Sequence, residues 1–183
     1  KGIPRRLKAF ELFLEDNPDY HEKVSLLLIV VPSRDEVPSY QQLKENVDEL
    51  VGKINSKYGR IAWSPIHYFY RSYPFDALSA FYRMCDVAMI TPMRDGMNLV
   101  CKEYIASRHE KDGVLILSEM AGSAKELSDA LLVNPNGIPG MAKTLKRALD
   151  MPKDEQKRHI EVMQESVKKY NIFSWVELFI SNL

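Results

Sequence analysis

Arg94-Asp95-Gly96-Met97-Asn98 sets a cation, a carboxylate, a glycine and an amide within five residues, directly after the short apolar run Val87-Ala88-Met89-Ile90 and the break at Thr91-Pro92. Gly96 permits a tight turn and a close backbone approach. A helix beginning near Asn98 would aim its free N–H groups and positive dipole end at whatever lies there, and a diphosphate suits that position. Asp95 cannot simply partner an anion. It reads better as an acceptor for sugar hydroxyls beside the phosphates. Glu103, eight residues on and about two helical turns along, can present a carboxylate to a second pair of hydroxyls such as a ribose diol. Lys102 falls on a different face. Spacing alone leaves open a plainer reading, with Asp95 as a helix N-cap and Glu103 as a solvated helix residue.

The elements that must position these residues follow from periodicity. Ile3, Leu7, Phe10 and Leu14 predict a helix with Pro4 in its first turn, ending before Asn17-Pro18. Val24 to Val31 and Val114 to Ser118 are short apolar runs of the kind buried on both faces of a sheet, as are Val87 to Ile90 and Ala130 to Val133. Ile66 to Tyr70, after Pro65, predicts a further strand. Helices are predicted over Tyr40–Tyr58, Asp76–Cys85, Asn98–Ser107, Ser123–Ser128, Met141–Asp150, Lys153–Tyr170 and Phe173–Leu183. Strands alternating with helices predict a doubly wound, Rossmann-like α/β domain with one parallel sheet, whose ligands lie at the carboxyl ends of the strands. Two more segments at such ends carry polar residues: Pro32-Ser33-Arg34-Asp35-Glu36 and Arg71-Ser72-Tyr73.

Composition limits the alternatives. A chain of 183 residues with 45% hydrophobic side chains supports one core and therefore one domain. Its 25 basic and 25 acidic residues cancel, so no overall field draws in nucleic acid or an anionic membrane. No apolar run is long enough to span a bilayer. The two cysteines, Cys85 and Cys101, show neither metal-ligand spacing nor a disulfide framework, which fits a reducing, cytoplasmic setting. No metal or cofactor is expected. His21, His109 and His159 lie in polar stretches and read as exposed, whereas His67 reads as packed or hydrogen-bonded within its strand. The methionines read as core filling, and the charge alternation of Lys153–Lys169 as a solvated helix face. The start at Lys1, without an initiator methionine, suggests a piece of a longer chain.

The thirteen residues Arg94 to Ala106, RDGMNLVCKEYIA, resemble the donor-site signature of the trehalose-6-phosphate synthase family. Similar stretches run the length of the chain: Lys1-Gly2-Ile3-Pro4, Pro32-Ser33-Arg34, Trp63 to Tyr68, Val114 to Glu119 with Ala121-Gly122, Ala130 to Pro135, and Trp175 with Phe179-Ile180-Ser181. The resemblance implies the second, donor-binding domain of a two-domain GT-B glycosyltransferase, without its N-terminal partner domain. It implies transfer of glucose from UDP-glucose to glucose 6-phosphate with retention, forming trehalose 6-phosphate and UDP with no required metal. A homo-oligomer, the strictness for UDP and a downstream phosphatase domain stay open.

Site residues carry over by motif position. Lys1 would hold the UDP phosphates, and Lys1 and Asp95 would be the catalytic pair, Asp95 on the glucose hydroxyls. The backbone of Gly96, Met97 and Asn98 would cradle glucose and diphosphate. Leu99 and Val100 would line the nucleotide pocket, Glu103 would take the ribose, and Tyr73 would meet uracil largely through its backbone. Arg34 would reach the acceptor phosphate, although Asp35 stands where the family usually has glycine. Two further expectations follow: the isolated chain folds but does not transfer glucose, and the last helix leaves Trp175, Phe179 and Ile180 partly exposed. The alternatives are another GT-B transferase with a different donor or acceptor, and a catalytically silent nucleotide-sugar-binding module.

Overall fold

The computed structural model describes residues 1–32, 38–170 and 172–181, apart from the side chains of residues 39, 172, 174, 175 and 178. Helix α1, Ile3–Asp16, buries Ile3, Leu7, Phe10, Phe13 and Leu14, and ends where Asn17 Nδ2 donates to the Phe13 carbonyl at 2.8 Å. Next come β1 (Leu26–Val30), α2 (Pro38–Tyr58), β2 (Ile66–Tyr70), α3 (Phe75–Met84), β3 (Val87–Ile90) and α4 (Leu99–Ser107). The chain continues through β4 (Val114–Ser118), a 3-10 turn at Gly122–Lys125, β5 (Leu131–Val133), α5 (Ile138–Leu149), α6 (Lys153–Lys169) and α7 (Ile172–Ser181). The predicted elements are all present, except that Ser123–Ser128 is this shorter 3-10 turn. No helix among the described residues is long and apolar enough to cross a membrane.

All strand pairs are parallel, as predicted, but they form two sheets rather than one. β1 pairs with β2 (Leu28 opposite Tyr68), and β3–β4–β5 form a second sheet with Met89 opposite Ile116. Among the described residues, β1 and β3 each keep one edge without a ladder, and both are largely half-buried rather than buried throughout. Among the described residues β4 alone has neighbours on both sides, and all five of its residues are buried. Alternation along it divides the core. Val114 and Ile116 face a cluster with α1, α2, α5 and the first sheet, while Leu115 and Leu117 face one formed with α4 and α6.

The start of α1 lies against the end of β3. Gly2 has φ 73°, and a Cβ there would stand 2.2 Å from the Thr91 carbonyl oxygen, so both the backbone angle and the close approach require glycine. On α7, Phe179 and Ile180 are exposed, as expected; the Trp175 side chain lies outside the described residues.

Candidate functional site

The loop after β3 is tied to the turn after β4. Asp95 N–H donates to the Met120 carbonyl (3.3 Å), Gly122 N–H to the Asp95 carbonyl (3.0 Å) and Ser123 N–H to the Met97 carbonyl (3.0 Å). Ser123, fully buried, also donates its hydroxyl to the Met97 carbonyl. Within the loop, Asp95 Oδ1 accepts from Met97 N–H at 3.2 Å and Oδ2 from Asn98 Nδ2 at 3.1 Å. Asn98, not Asp95, caps α4, its Oδ1 accepting from Cys101 N–H at 3.1 Å. The cap holds Asn98 at φ 77°, a backbone angle uncommon outside glycine and fixed here by these surrounding bonds.

Gly96 plays a different part from the one its type suggests. Its φ is not positive, and a Cβ there would meet nothing within 4 Å. The close approach belongs to Gly122, where a Cβ would stand 2.0 Å from the Gly96 carbonyl oxygen. Glycine at 96 leaves open space above the loop, next to the α4 start, where the first N–H groups lack intrahelical acceptors. A carboxylate offers about four lone-pair positions, so Asp95 can hold its loop and still accept from hydroxyls. Met97, Leu99 and Val100 are exposed at 47%, 60% and 44% and form an apolar rim around this polar floor.

Lys1 is also exposed and lines a cavity of ≈ 290 Å³ with Val30, Val31, Tyr40, Lys44 and Tyr70 among its walls. Its neighbour Gly2 packs on the Thr91 carbonyl, which sets this end of α1 beside the segment that leads into the Asp95 loop. Local pattern gives Arg6 no role, yet its Nε donates to Thr91 Oγ1 at 3.2 Å, just ahead of the same loop. Burial pulls its guanidinium down to about 10, so it stays charged at neutral pH.

Glu103, half-buried, sits in the second turn of α4 and accepts a 2.8 Å hydrogen bond from Tyr82 on α3. Lys102 turns away, as expected, to pair with Glu126 at 2.6 Å. Tyr73 is packed edge-on to Phe69 and Phe81, and its hydroxyl accepts from Arg71 Nε at 2.7 Å. Its side chain is thus engaged in packing, which leaves the backbone for any ligand. The structure therefore brings Asp95, Gly96, Met97, Asn98, Leu99 and Val100 together at one loop and helix start, whereas Lys1 lines a cavity whose other walls come from β1, α2 and β2. Arg34 lies outside the described residues.

Three histidines differ from their sequence reading. His21 packs on Tyr58 and Trp63 and hydrogen-bonds the Leu14 carbonyl at 2.8 Å. His159 is only 15% exposed and meets Asp129 at 2.9 Å, because α6 lays that side chain against a loop the periodicity of its own helix does not show. His67 is exposed, on the uncovered face of its strand.

Residues 1–183 match the sequence pattern of glycosyltransferase family 20. The chain is 47% identical over its full length to a bifunctional trehalose-6-phosphate synthase/phosphatase of Thermoproteus tenax, covering 25% of that protein. It is 43% identical to a glucosylglycerol-phosphate synthase of Pseudomonas anguilliseptica, over 99% of the chain and 24% of that relative. Its fold superposes with TM-score 0.96 on the crystal structure of a UDP-forming α,α-trehalose-phosphate synthase of Burkholderia xenovorans in complex with glucose 6-phosphate, 39% identical, covering 100% of this chain and 40% of that one. The chain thus spans well under half the length of each of these proteins, yet one family's pattern accounts for all of its own residues: it belongs to glycosyltransferase family 20.

Proposed function

We propose that these residues form the donor half of a glucosyltransferase that moves glucose from UDP-glucose to glucose 6-phosphate, yielding α,α-trehalose 6-phosphate and UDP with retention at the anomeric carbon. The observation that carries this is the loop from Asp95 to Asn98. It is braced from below by Gly122 and Ser123, open above Gly96, and continuous with the start of α4. Diphosphate would lie at the helix start, glucose hydroxyls on Asp95, uridine along the rim of Met97, Leu99 and Val100, and ribose at Glu103.

As the bond from anomeric carbon to phosphate oxygen breaks and the bond to the acceptor hydroxyl forms on the same face, negative charge grows on the departing diphosphate. Lys1 and the α4 N–H groups would stabilise that charge, and a phosphate oxygen would take the acceptor's proton. Neither a protein nucleophile nor a metal is given a role. Arg34 would bind the acceptor phosphate, and the rest of the acceptor site would come from a partner N-terminal domain.

A second reading, a transferase with another acceptor, is favoured by the similarity to a glucosylglycerol-phosphate synthase, which is nearly as high as that to the bifunctional synthase. The test has two arms. A ligand of the native state raises the thermal midpoint, so UDP, GDP and ADP are compared at millimolar concentration. A UDP-selective rise supports the donor site, and no rise in a folded protein means either that the partner domain is needed to complete the site or that the site has eroded. Turnover of UDP-glucose by the longest chain carrying these residues, with glucose 6-phosphate against glycerol 3-phosphate, then decides the acceptor.

A further inference from the structure

Tyr82 and Glu103 are 21 residues apart and on different helices, yet the Tyr82 hydroxyl donates to Glu103 Oε2 at 2.8 Å. We infer that Tyr82 is a positioning residue for the ribose: it fixes the Glu103 carboxylate in the orientation that accepts the nucleotide's hydroxyl pair. This rests on the donor assignment of Glu103 above and names the residue through which that contact is set.

Several observations bear on it. Burial pushes the Tyr82 phenol well above its ordinary range, and the hydrogen bond to Glu103 and the Glu103 charge act the same way. The phenol therefore stays protonated and a donor at all physiological pH values, and it cannot become a second anion competing for the diol. Its bond takes one of about four acceptor positions on the carboxylate, leaving Oε1 and a second position on Oε2 for hydroxyls. Lys102, the adjacent cation, is committed to Glu126 at 2.6 Å.

Tyr82 is itself held firmly. Its ring packs on the core beneath α4, and its carbonyl accepts from Nη1 of the buried Arg108 at 2.9 Å. The Ser107 hydroxyl ties down the Glu103 backbone by donating to its carbonyl at 2.7 Å. A glutamate on a half-exposed helix face otherwise samples several rotamers and must be ordered when ligand binds. Tyr82 orders it beforehand. The general case is a ligand-binding carboxylate whose aim is set by a neighbour that never touches the ligand.

The experiment is a titration of UDP and of 2′-deoxy-UDP into the longest chain carrying residues 1–183, for the wild type, Tyr82→Phe and Glu103→Gln. Phenylalanine keeps the ring and its packing. We expect the wild type to favour UDP, Glu103→Gln to lose most of that preference, and Tyr82→Phe to weaken UDP about fivefold, the size expected when one side chain must be ordered on binding, with 2′-deoxy-UDP nearly unchanged. A merely structural role for Tyr82 would weaken both nucleotides alike, and that result, or a preference that survives Tyr82→Phe but not Glu103→Gln, overturns the inference and leaves the ribose site standing. A wild type that binds UDP and 2′-deoxy-UDP equally, or binds neither, removes the Glu103 assignment and the inference with it.

Discussion

Gly122 faces the carbonyl oxygen of Gly96 so closely that a Cβ on Gly122 would stand 2.0 Å from it, whereas a Cβ on Gly96 would touch nothing within 4 Å. The two glycines of the loop pair are therefore not equivalent. Gly122→Ala must push the Asp95–Asn98 loop off its brace, breaking the bonds from Gly122 N–H and Ser123 N–H, and we expect a loss of about 2 kcal/mol, in the range of overpacked sites. Gly96→Ala should fold within about 1 kcal/mol of wild type yet weaken UDP-glucose, because its methyl enters the space assigned to ligand. Urea denaturation with thermal shifts on UDP-glucose checks both. Equal stability losses in the two variants would sink the distinction.

That contrast also marks where the sequence stops being informative. Gly96 stands in the most informative motif and invites the turn argument, but the constraint lies on Gly122, since only the packing of one loop on another creates it. Tyr82 and Arg6 were invisible for the same reason: their partners, Glu103 and Thr91, lie on other elements, and no local period links them. Arrangement within one element was legible. The apolar run of β4 is buried on both faces as read, and the α4 start falls at Asn98–Leu99. The mutual order of the strands was not, because apolar runs record burial but not neighbours: those of β1 and β3 predict full burial, yet among the described residues each strand has an unpaired edge.

Asp95 has two tasks that different ligands separate. Its oxygens brace the loop through Met97 N–H and Asn98 Nδ2, and under the donor proposal they also receive glucose hydroxyls. Asp95→Ala should lower stability by about 1–2 kcal/mol through the lost loop bonds and abolish the extra thermal shift that UDP-glucose gives over UDP, while UDP alone still binds. If the variant binds UDP-glucose more tightly than UDP, as a glucose-binding wild type must, the hydroxyl role is wrong.

Arg108 closes the end of α3. Its side chain is 3% exposed. Nη1 donates to the carbonyls of Tyr82, Arg83 and Cys85 at 2.9, 2.6 and 3.1 Å, and Nε to that of Asp112 at 2.8 Å. Arg108→Leu fills similar space but leaves these carbonyls without their donor, and we expect about 3 kcal/mol of destabilisation. It appears as a lower urea midpoint at unchanged slope. Since the frayed end carries Tyr82, the preference for UDP over 2′-deoxy-UDP should fall with it. A variant as stable as wild type would mean that these bonds merely replace water.

The same arginine sets an acid response through Asp112. Burial acts to raise the Asp112 carboxyl, but the hydrogen bond and charge of Arg108, with the charge of Lys153, together outweigh it and hold the group below its ordinary value of 3.8. A carboxyl depressed by folding stabilises the native state at pH above its unfolded value, and that contribution is lost as pH falls through the folded value. Asp112→Asn should therefore be less stable than wild type at neutral pH. The gap should begin to narrow near pH 4, where the unfolded carboxyl takes up its proton, and close only at lower pH, once the folded carboxyl is protonated too. With Asp112 35% exposed, solvent screening limits the gap to about 1 kcal/mol or less. Urea midpoints of both proteins from neutral to acid pH measure it. A gap that stays constant or widens in acid would mean that the carboxylate charge contributes nothing and that Asp112 acts through its backbone carbonyl alone.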